Sequence, residues 1–315
     1  MTRKARLRGL GALMLLVFLS WVGLRALVPP DALAALPRAG AVSVRRTEEE
    51  PARGGRQLRR VVLRDSALGD ISLAINLPHP PPARPLPVVF VLGGHQTGQA
   101  AIDTLGPPGE NVLVGYDWPI PRKFPRSAWE WLQATPALRR QVLRVPGQVS
   151  AALAWLQEQP WADDGRVSLA GFSLGAIAAP AIQRVAAAEG RRIGWTVLGY
   201  GGAGLGDLLS EHPAIRQHRL GGVLARAVGV LLHPIDPAWH LPALQGRFLV
   251  IAGRDDRLIS QKAVDRFRAL TPEPKEVVLM GGDHPGTGSR QQALLQEIVA
   301  VTRAWLVAQG AVNPL

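Results

Sequence analysis

Gly171-Phe172-Ser173-Leu174-Gly175 follows Arg166-Val-Ser-Leu-Ala170, which reads as a buried strand. It precedes Ala176-Ile-Ala-Ala-Pro-Ala-Ile-Gln-Arg-Val185, which reads as a helix. A G-x-S-x-G between strand and helix has a mechanical meaning. The serine occupies a strained turn with its hydroxyl pointing out of the sheet, and the glycines let the backbone pass without a Cβ clash. The N-terminus of the following helix favours a developing negative charge. A tight βα turn without chemistry has the same spelling, so the partners such a serine needs decide between the two.

Outward from this turn, apolar runs alternate with helical patterns. Val88-Val-Phe-Val-Leu92, Asn111-Val-Leu-Val-Gly-Tyr116, Arg166–Ser173, Gly194-Trp-Thr-Val-Leu-Gly-Tyr200, Arg247-Phe-Leu-Val-Ile-Ala252 and Lys275-Glu-Val-Val-Leu-Met280 look like buried parallel strands. Helical patterns cover 149–157, 174–188, 261–270 and 290–308. Ahead of them, Leu58 to Leu63 and Ile71 to Leu77 predict a hairpin, followed by a Pro-rich connector over 79–87. The alternation predicts a doubly wound, mainly parallel α/β sheet with helices on both faces. Right-handed crossovers then place the strand C-terminal ends along one edge. Residues 117–146 and 201–245 are too long for plain loops and read as lid-type insertions, the second carrying an apolar helix from Leu220 to Leu232. Trp118, Trp129 and Trp131 read as residues packing the first insertion onto the body.

The chain has 315 residues, of which 47% are hydrophobic, enough for one large core. Lys and Arg number 36 against 24 Asp and Glu. The basic residues are scattered arginines with no block beyond the first eight positions and no nucleic-acid-binding module, so no nucleic-acid partner is expected. There is no cysteine, which excludes disulfides and thiolate chemistry.

Met1-Thr-Arg-Lys-Ala-Arg-Leu-Arg8 is a basic start, and Gly9 to Leu24 carries no charge. At about 1.5 Å per residue that run spans roughly 24 Å as a helix, and it lengthens to Val28 if Arg25 snorkels. Ala32-Leu33-Ala34 is a small-x-small cleavage pattern. Residues 1–34 therefore read as a signal peptide or a membrane anchor, and either exports the body from the cytoplasm. Without them the charge balance is 31 basic to 23 acidic. Residues 35–56, rich in Arg, Glu, Gly and Pro, read as a linker, and 57–315 as the single domain.

A serine hydroxyl needs a base to take its proton, and the base is usually a histidine held by a carboxylate. The strand ending at Ala252 runs into Gly253-Arg254-Asp255-Asp256-Arg257-Leu258-Ile259, and the strand ending at Met280 into Gly281-Gly282-Asp283-His284. The order is serine, aspartate, histidine. With Leu92-Gly93-Gly94-His95, Gly171–Gly175, Gly253–Asp256 and Gly282–His284 in this order, residues 57–310 resemble the α/β-hydrolase superfamily, in its dienelactone hydrolase and prolyl-oligopeptidase-like branch.

The resemblance implies an α/β-hydrolase fold and a serine hydrolase acting on a small-molecule or acyl substrate, most simply a carboxylic ester. A thioester, a peptide or acyl transfer to an alcohol would use the same residues, and a non-catalytic binding protein is the other class. It implies Ser173 as nucleophile, His284 as general base and acid, and Asp256 as the acid, with Asp255 the alternative. Asp283 adjoins His284 and is a poor orienter of its ring. The oxyanion would rest on the backbone N–H of Leu174 and a second from Gly94 or His95. Leu92 stands where the family has a histidine, and the His95 or Gln96 side chain is a further candidate for reaching the site. The remaining histidines read as loop or insertion residues. No metal-ligand spacing and no dinucleotide fingerprint occurs, so no metal and no cofactor is expected.

Overall fold

The computed structural model describes residues 14–15, 18–23, 31–94, 96–121, 128–217, 221–286 and 289–315, and among these nine strands form one sheet. In chain order the elements are β1 (Val42–Ala52), β2 (Arg56–Asp65), β3 (Gly69–Pro78), β4 (Leu86–Leu92), α1 (Gly98–Leu105), β5 (Val112–Tyr116), α2 (Ala128–Gln157), β6 (Ala162–Phe172), α3 (Leu174–Ala188) and β7 (Trp195–Gly199). They continue with α4 (Leu205–Glu211), α5 (Pro213–Arg216), α6 (Gly221–Leu231), α7 (Pro237–His240), β8 (Arg247–Gly253), α8 (Gln261–Leu270), β9 (Lys275–Met280) and α9 (Ser289–Ala308).

The sheet order is β1-β2-β3-β5-β4-β6-β7-β8-β9. The first three strands are antiparallel, β3 meets β5 antiparallel, and every later pairing is parallel. Successive residues of β6 show why the parallel strands are apolar throughout. Leu169 packs into the cluster that holds Val149 of α2 and Ile182 of α3. Its neighbour Ala170 packs into the cluster that holds Ile102 of α1 and Trp305 of α9. Both faces are covered, so both registers of the strand are buried. The chain runs from β4 to β5 on one side and then to β6 on the other. Ligands of open α/β sheets bind beyond the carboxyl ends at such a reversal, and Gly93 and Gly94 after β4 and the Ser173 turn after β6 lie at those ends.

Four expectations need correction. Residues 35–56 are not a plain linker, because 42–52 form β1. Glu48 faces Arg60 and Glu49 faces Arg59 across the β1–β2 pair, with Arg59 Nε 2.6 Å from Glu49 Oε1, and Arg60 also pairs with Glu50. An edge strand joined by cross-strand charge pairs has little apolar alternation to read. The stretch 117–146 is not a lid-type insertion, because 128–146 belong to α2, which continues through Pro136 and Pro146 to Gln157. Prolines normally end a helical pattern, so the sequence shows only the last turns, 149–157. The sequence reading assigns no helix to α1, whose start is capped by Thr97 Oγ1 accepting from the Ala100 N–H at 3.0 Å. Finally, β9 is an edge strand and not a buried one, with Val277 and Leu279 exposed.

The leader largely falls outside the described residues. Those described between 14 and 23 are helical and exposed, and no described helix is long and apolar enough to cross a membrane. From residue 31 the chain lies on the body. Ala32 and Leu36 are buried, and Leu36 shares an apolar cluster with Ile177, Leu205 and Leu208.

The 201–245 stretch is an insertion bearing α4 to α7, with α6 close to the helix expected there. One carboxylate closes its neck. Asp236 Oδ1 accepts from the Gly204 N–H and the Ala238 N–H, each at 2.9 Å, and Oδ2 accepts from the Leu205 N–H at 2.7 Å. Asp236→Ala leaves these amides unpaired and is expected to cost about 1–3 kcal/mol in urea denaturation. Limited proteolysis of that variant should cut first between 205 and 235, and equal protease resistance to wild type would show that the carboxylate does not close the insertion.

Candidate active site

Ser173 lies between β6 and α3 with φ 54 and ψ −115, a left-handed-side conformation rare outside glycine. Its N–H donates to the Gly199 carbonyl at 2.8 Å, and its own carbonyl accepts from the Ile177 N–H at 3.1 Å. The residue is therefore strand at one end and helix at the other, and the strain is held from both sides. The flanking glycines are required by backbone contact. A Cβ on Gly171 would meet the Gly175 carbonyl oxygen at 2.6 Å, and one on Gly175 would meet the Leu92 carbonyl oxygen at 2.0 Å.

Asp256 follows β8 by three residues and its side chain is almost fully buried. Its Oδ1 accepts from the Leu258 N–H at 2.8 Å and the Ile259 N–H at 2.9 Å. Those two amides turn the carboxylate so that Oδ2 faces His284 Nδ1 at 2.8 Å. A carboxylate only accepts, so Nδ1 carries the proton and Nε2 is left as an acceptor. Nε2 lies 2.9 Å from Ser173 Oγ. Ser173, His284 and Asp256, brought from three strand ends, thus form one hydrogen-bonded chain. Asp255 is exposed and takes no part in it.

The histidine loop is tied down by its neighbour. Asp283 Oδ1 accepts from the Arg257 N–H at 2.9 Å and the His284 N–H at 2.7 Å, which joins the loop after β9 to the loop after β8. These backbone hydrogen bonds hold the Asp283 carboxyl below its usual range. The tie is complete above the ordinary carboxylate pKa and is lost as pH falls through the lowered value. Asp283 does not orient the ring, as the sequence implies; what no residue pattern shows is its grip on the two loops.

Leu174 opens α3, where first-turn N–H groups have no intrahelical acceptor. Gly94 sits against the serine, its Cβ position 3.9 Å from Ser173 Cβ. His95 lies outside the described residues. Gln96 is exposed, and its amide nitrogen lies over Gly93. Tyr200, which the sequence reading passes over, is buried with its ring against His284. Its position at the end of a strand next to the serine strand is the signal that could have found it. Among the described residues no cluster of His, Asp or Glu is arranged to hold a metal ion.

No family model and no curated protein matches this chain. Solved structures resemble it in fold. Acetyl xylan esterase 1 from a Thermoanaerobacterium species is 13% identical with a TM-score of 0.56, covering 86% of this chain and 91% of its own. An acetyl xylan esterase from a Paenibacillus species is 17% identical with a TM-score of 0.56, covering 90% and 93%. An esterase from Pyrobaculum calidifontis is 16% identical with a TM-score of 0.54, covering 89% and 88%. With the strand order and the Ser173 turn, these place the chain in the α/β-hydrolase fold.

Gly175→Ala is expected to cost about 1–3 kcal/mol, because either β4 or α3 must move. Gly194→Ala, whose added Cβ meets nothing within 4 Å, serves as the control. Equal denaturation midpoints for the two variants would contradict the close approach of α3 to β4.

Proposed function

We propose that this chain is a serine hydrolase that cleaves a small-molecule carboxylic ester through an acyl-enzyme. The observation that carries the reading is the Ser173–His284–Asp256 hydrogen-bonded chain at the carboxyl edge of an α/β-hydrolase sheet. Ser173 Oγ attacks the ester carbonyl while His284 Nε2 takes its proton. Asp256 Oδ2 fixes the Nδ1–H tautomer and stabilises the imidazolium that forms. The tetrahedral oxyanion rests on the Leu174 N–H, helped by the positive end of α3, and on an amide of the 94–95 loop. The imidazolium returns its proton to the leaving alcohol. Water then attacks the acyl carbon as His284 Nε2 takes its proton. The bond from that carbon to Ser173 Oγ breaks, and the imidazolium returns the proton to Oγ, releasing the acid and free Ser173. Ester chemistry is favoured over thioester or peptide cleavage by the esterases among the structural neighbours.

We further propose that residues 1–30 are retained as a membrane anchor, with the hydrolase body outside the cytoplasm. The basic start and the uncharged run support export. Retention is supported by the packing of Ala32 and Leu36, since cleavage after Ala34 would strip Ala32 from the body. Amino-terminal sequencing of the protein from its native membrane separates the two cases: an intact Met1 supports the anchor, and a start at Ala35 or nearby overturns it.

A fluorophosphonate probe is expected to label the wild type and not Ser173→Ala. If the wild type does not label, or the alanine variant labels equally, the serine-hydrolase reading is wrong. Asp256→Asn should lower ester kcat by roughly a thousandfold or more, because the amide favours the wrong imidazole tautomer. Asp255→Asn, at an exposed position, should leave kcat within about twofold; a larger loss at Asp255 would overturn the choice of acid.

A further inference from the structure

We propose that Tyr200 is a positioning residue for His284: its ring holds the imidazole in line between Ser173 and Asp256 and keeps water from the Asp256–His284 hydrogen bond. The proposal rests on the catalytic reading of that chain and adds a residue to it.

The two rings meet edge to face, with centroids 5.5 Å apart and planes at 85°. Such aromatic contacts have a preferred geometry and restrict the rotation of both partners. Tyr200 is 1% exposed, and the side chains of Asp256 and His284 are 1% and 10% exposed. The hydrogen bond between them therefore lies in a dry region, where it is stronger than in water.

Three features that disfavour a tyrosine converge on this position. Its φ is 56, a conformation that is uncommon for any residue but glycine and most of all for a bulky one. It is held there by its N–H, which donates to the Ile251 carbonyl at 2.7 Å. Its hydroxyl is buried and has no hydrogen-bond partner among the described residues. Burial, with the Asp256 charge beside it, pushes the phenol up to about 12, so the ring stays neutral. The ring also needs Gly253. A Cβ there would come within 2.8 Å of Tyr200 Cε1 and 3.4 Å of Asp256 Cβ. Strain, an unpartnered hydroxyl and an obligatory glycine all disfavour the arrangement. What they secure together is an aromatic wall beside the Asp256–His284 hydrogen bond.

The ring and not the hydroxyl is the working part, which separates positioning from mere structure. Ester kinetics with p-nitrophenyl acetate, and the downfield proton resonance of the His284 Nδ1–H, are measured on the full chain. Tyr200→Phe keeps the wall and is expected to retain kcat within about twofold and to keep the resonance. Tyr200→Leu is expected to lower kcat roughly ten- to a hundredfold with KM nearly unchanged, and to broaden the resonance by exchange with water. Tyr200→Met removes the ring while filling its space with a flexible side chain, and should reproduce the leucine result. It decides the matter where Tyr200→Leu does not fold. The proposal is overturned if the ring-removing variants keep both kcat and the resonance, or if Tyr200→Phe loses as much as Tyr200→Leu. Loss of probe labelling in the wild type would sink the hydrolase reading instead, and the resonance would still report on Tyr200.

Discussion

The contact on which the site depends is between two backbones. Helix α3 approaches the end of β4 so closely that a single methyl group at Gly175 would reach to within 2.0 Å of the Leu92 carbonyl oxygen. This approach sets the depth of the Ser173 turn. It also brings the loop after β4 beside the serine, so that Gly94 backs onto the Ser173 Cβ. A larger side chain at either flanking position would separate strand from helix, and the serine would lose both its strained φ and its place beside the β4 loop. The hydroxyl is thus positioned by main-chain packing, which is stiffer than any arrangement of rotamers.

Carboxylates complete what the backbone begins, and each of three does so by accepting amide protons. Asp256 uses one oxygen on its own loop and frees the other for the imidazole. Asp283 joins the acid loop to the histidine loop. Asp236 joins the two ends of the insertion. A carboxylate suits this work because it has about four acceptor sites and hydrogen bonds to a charged group are stronger than neutral ones. The ties around Asp256 and Asp283 do not share residues with the tie at Asp236. They meet instead through apolar packing, because Ile259, whose N–H serves Asp256, lies in one cluster with Leu205, Leu208 and Ile235 of the insertion.

Legibility in the sequence followed the physics of each element. Strands buried on both faces, such as β4 and β6, are written as unbroken apolar runs and are read with little error. The residues that meet at the strand ends are legible too: Ser173 from its turn, His284 from the loop after β9, and Asp256 over Asp255 only through the family resemblance. Elements stabilised otherwise are hidden. The edge strand β1 is held by Glu–Arg pairs that look like a solvated linker. Helix α2 runs through two prolines that normally signal an end. The role of Asp283 depends on main-chain hydrogen bonds between distant loops, and no residue pattern records those.

Tyr200 and Leu36 show a further limit of sequence reading, since in each the meaning lies in what the residue covers. Tyr200 has the composition of an ordinary strand-end aromatic, yet its backbone leaves the strand at φ 56 and its ring turns onto the imidazole. Leu36 sits in a stretch that reads as linker, yet it is among the most buried residues of the chain and packs with Leu205 and Leu208 of α4. Burial of that kind couples the leader to the insertion. The same cluster holds Ala252 of β8 and Ile177 of α3, whose N–H donates to the Ser173 carbonyl. The segment from residue 31 therefore packs on apolar residues shared by the insertion, the sheet and the helix that carries the serine turn.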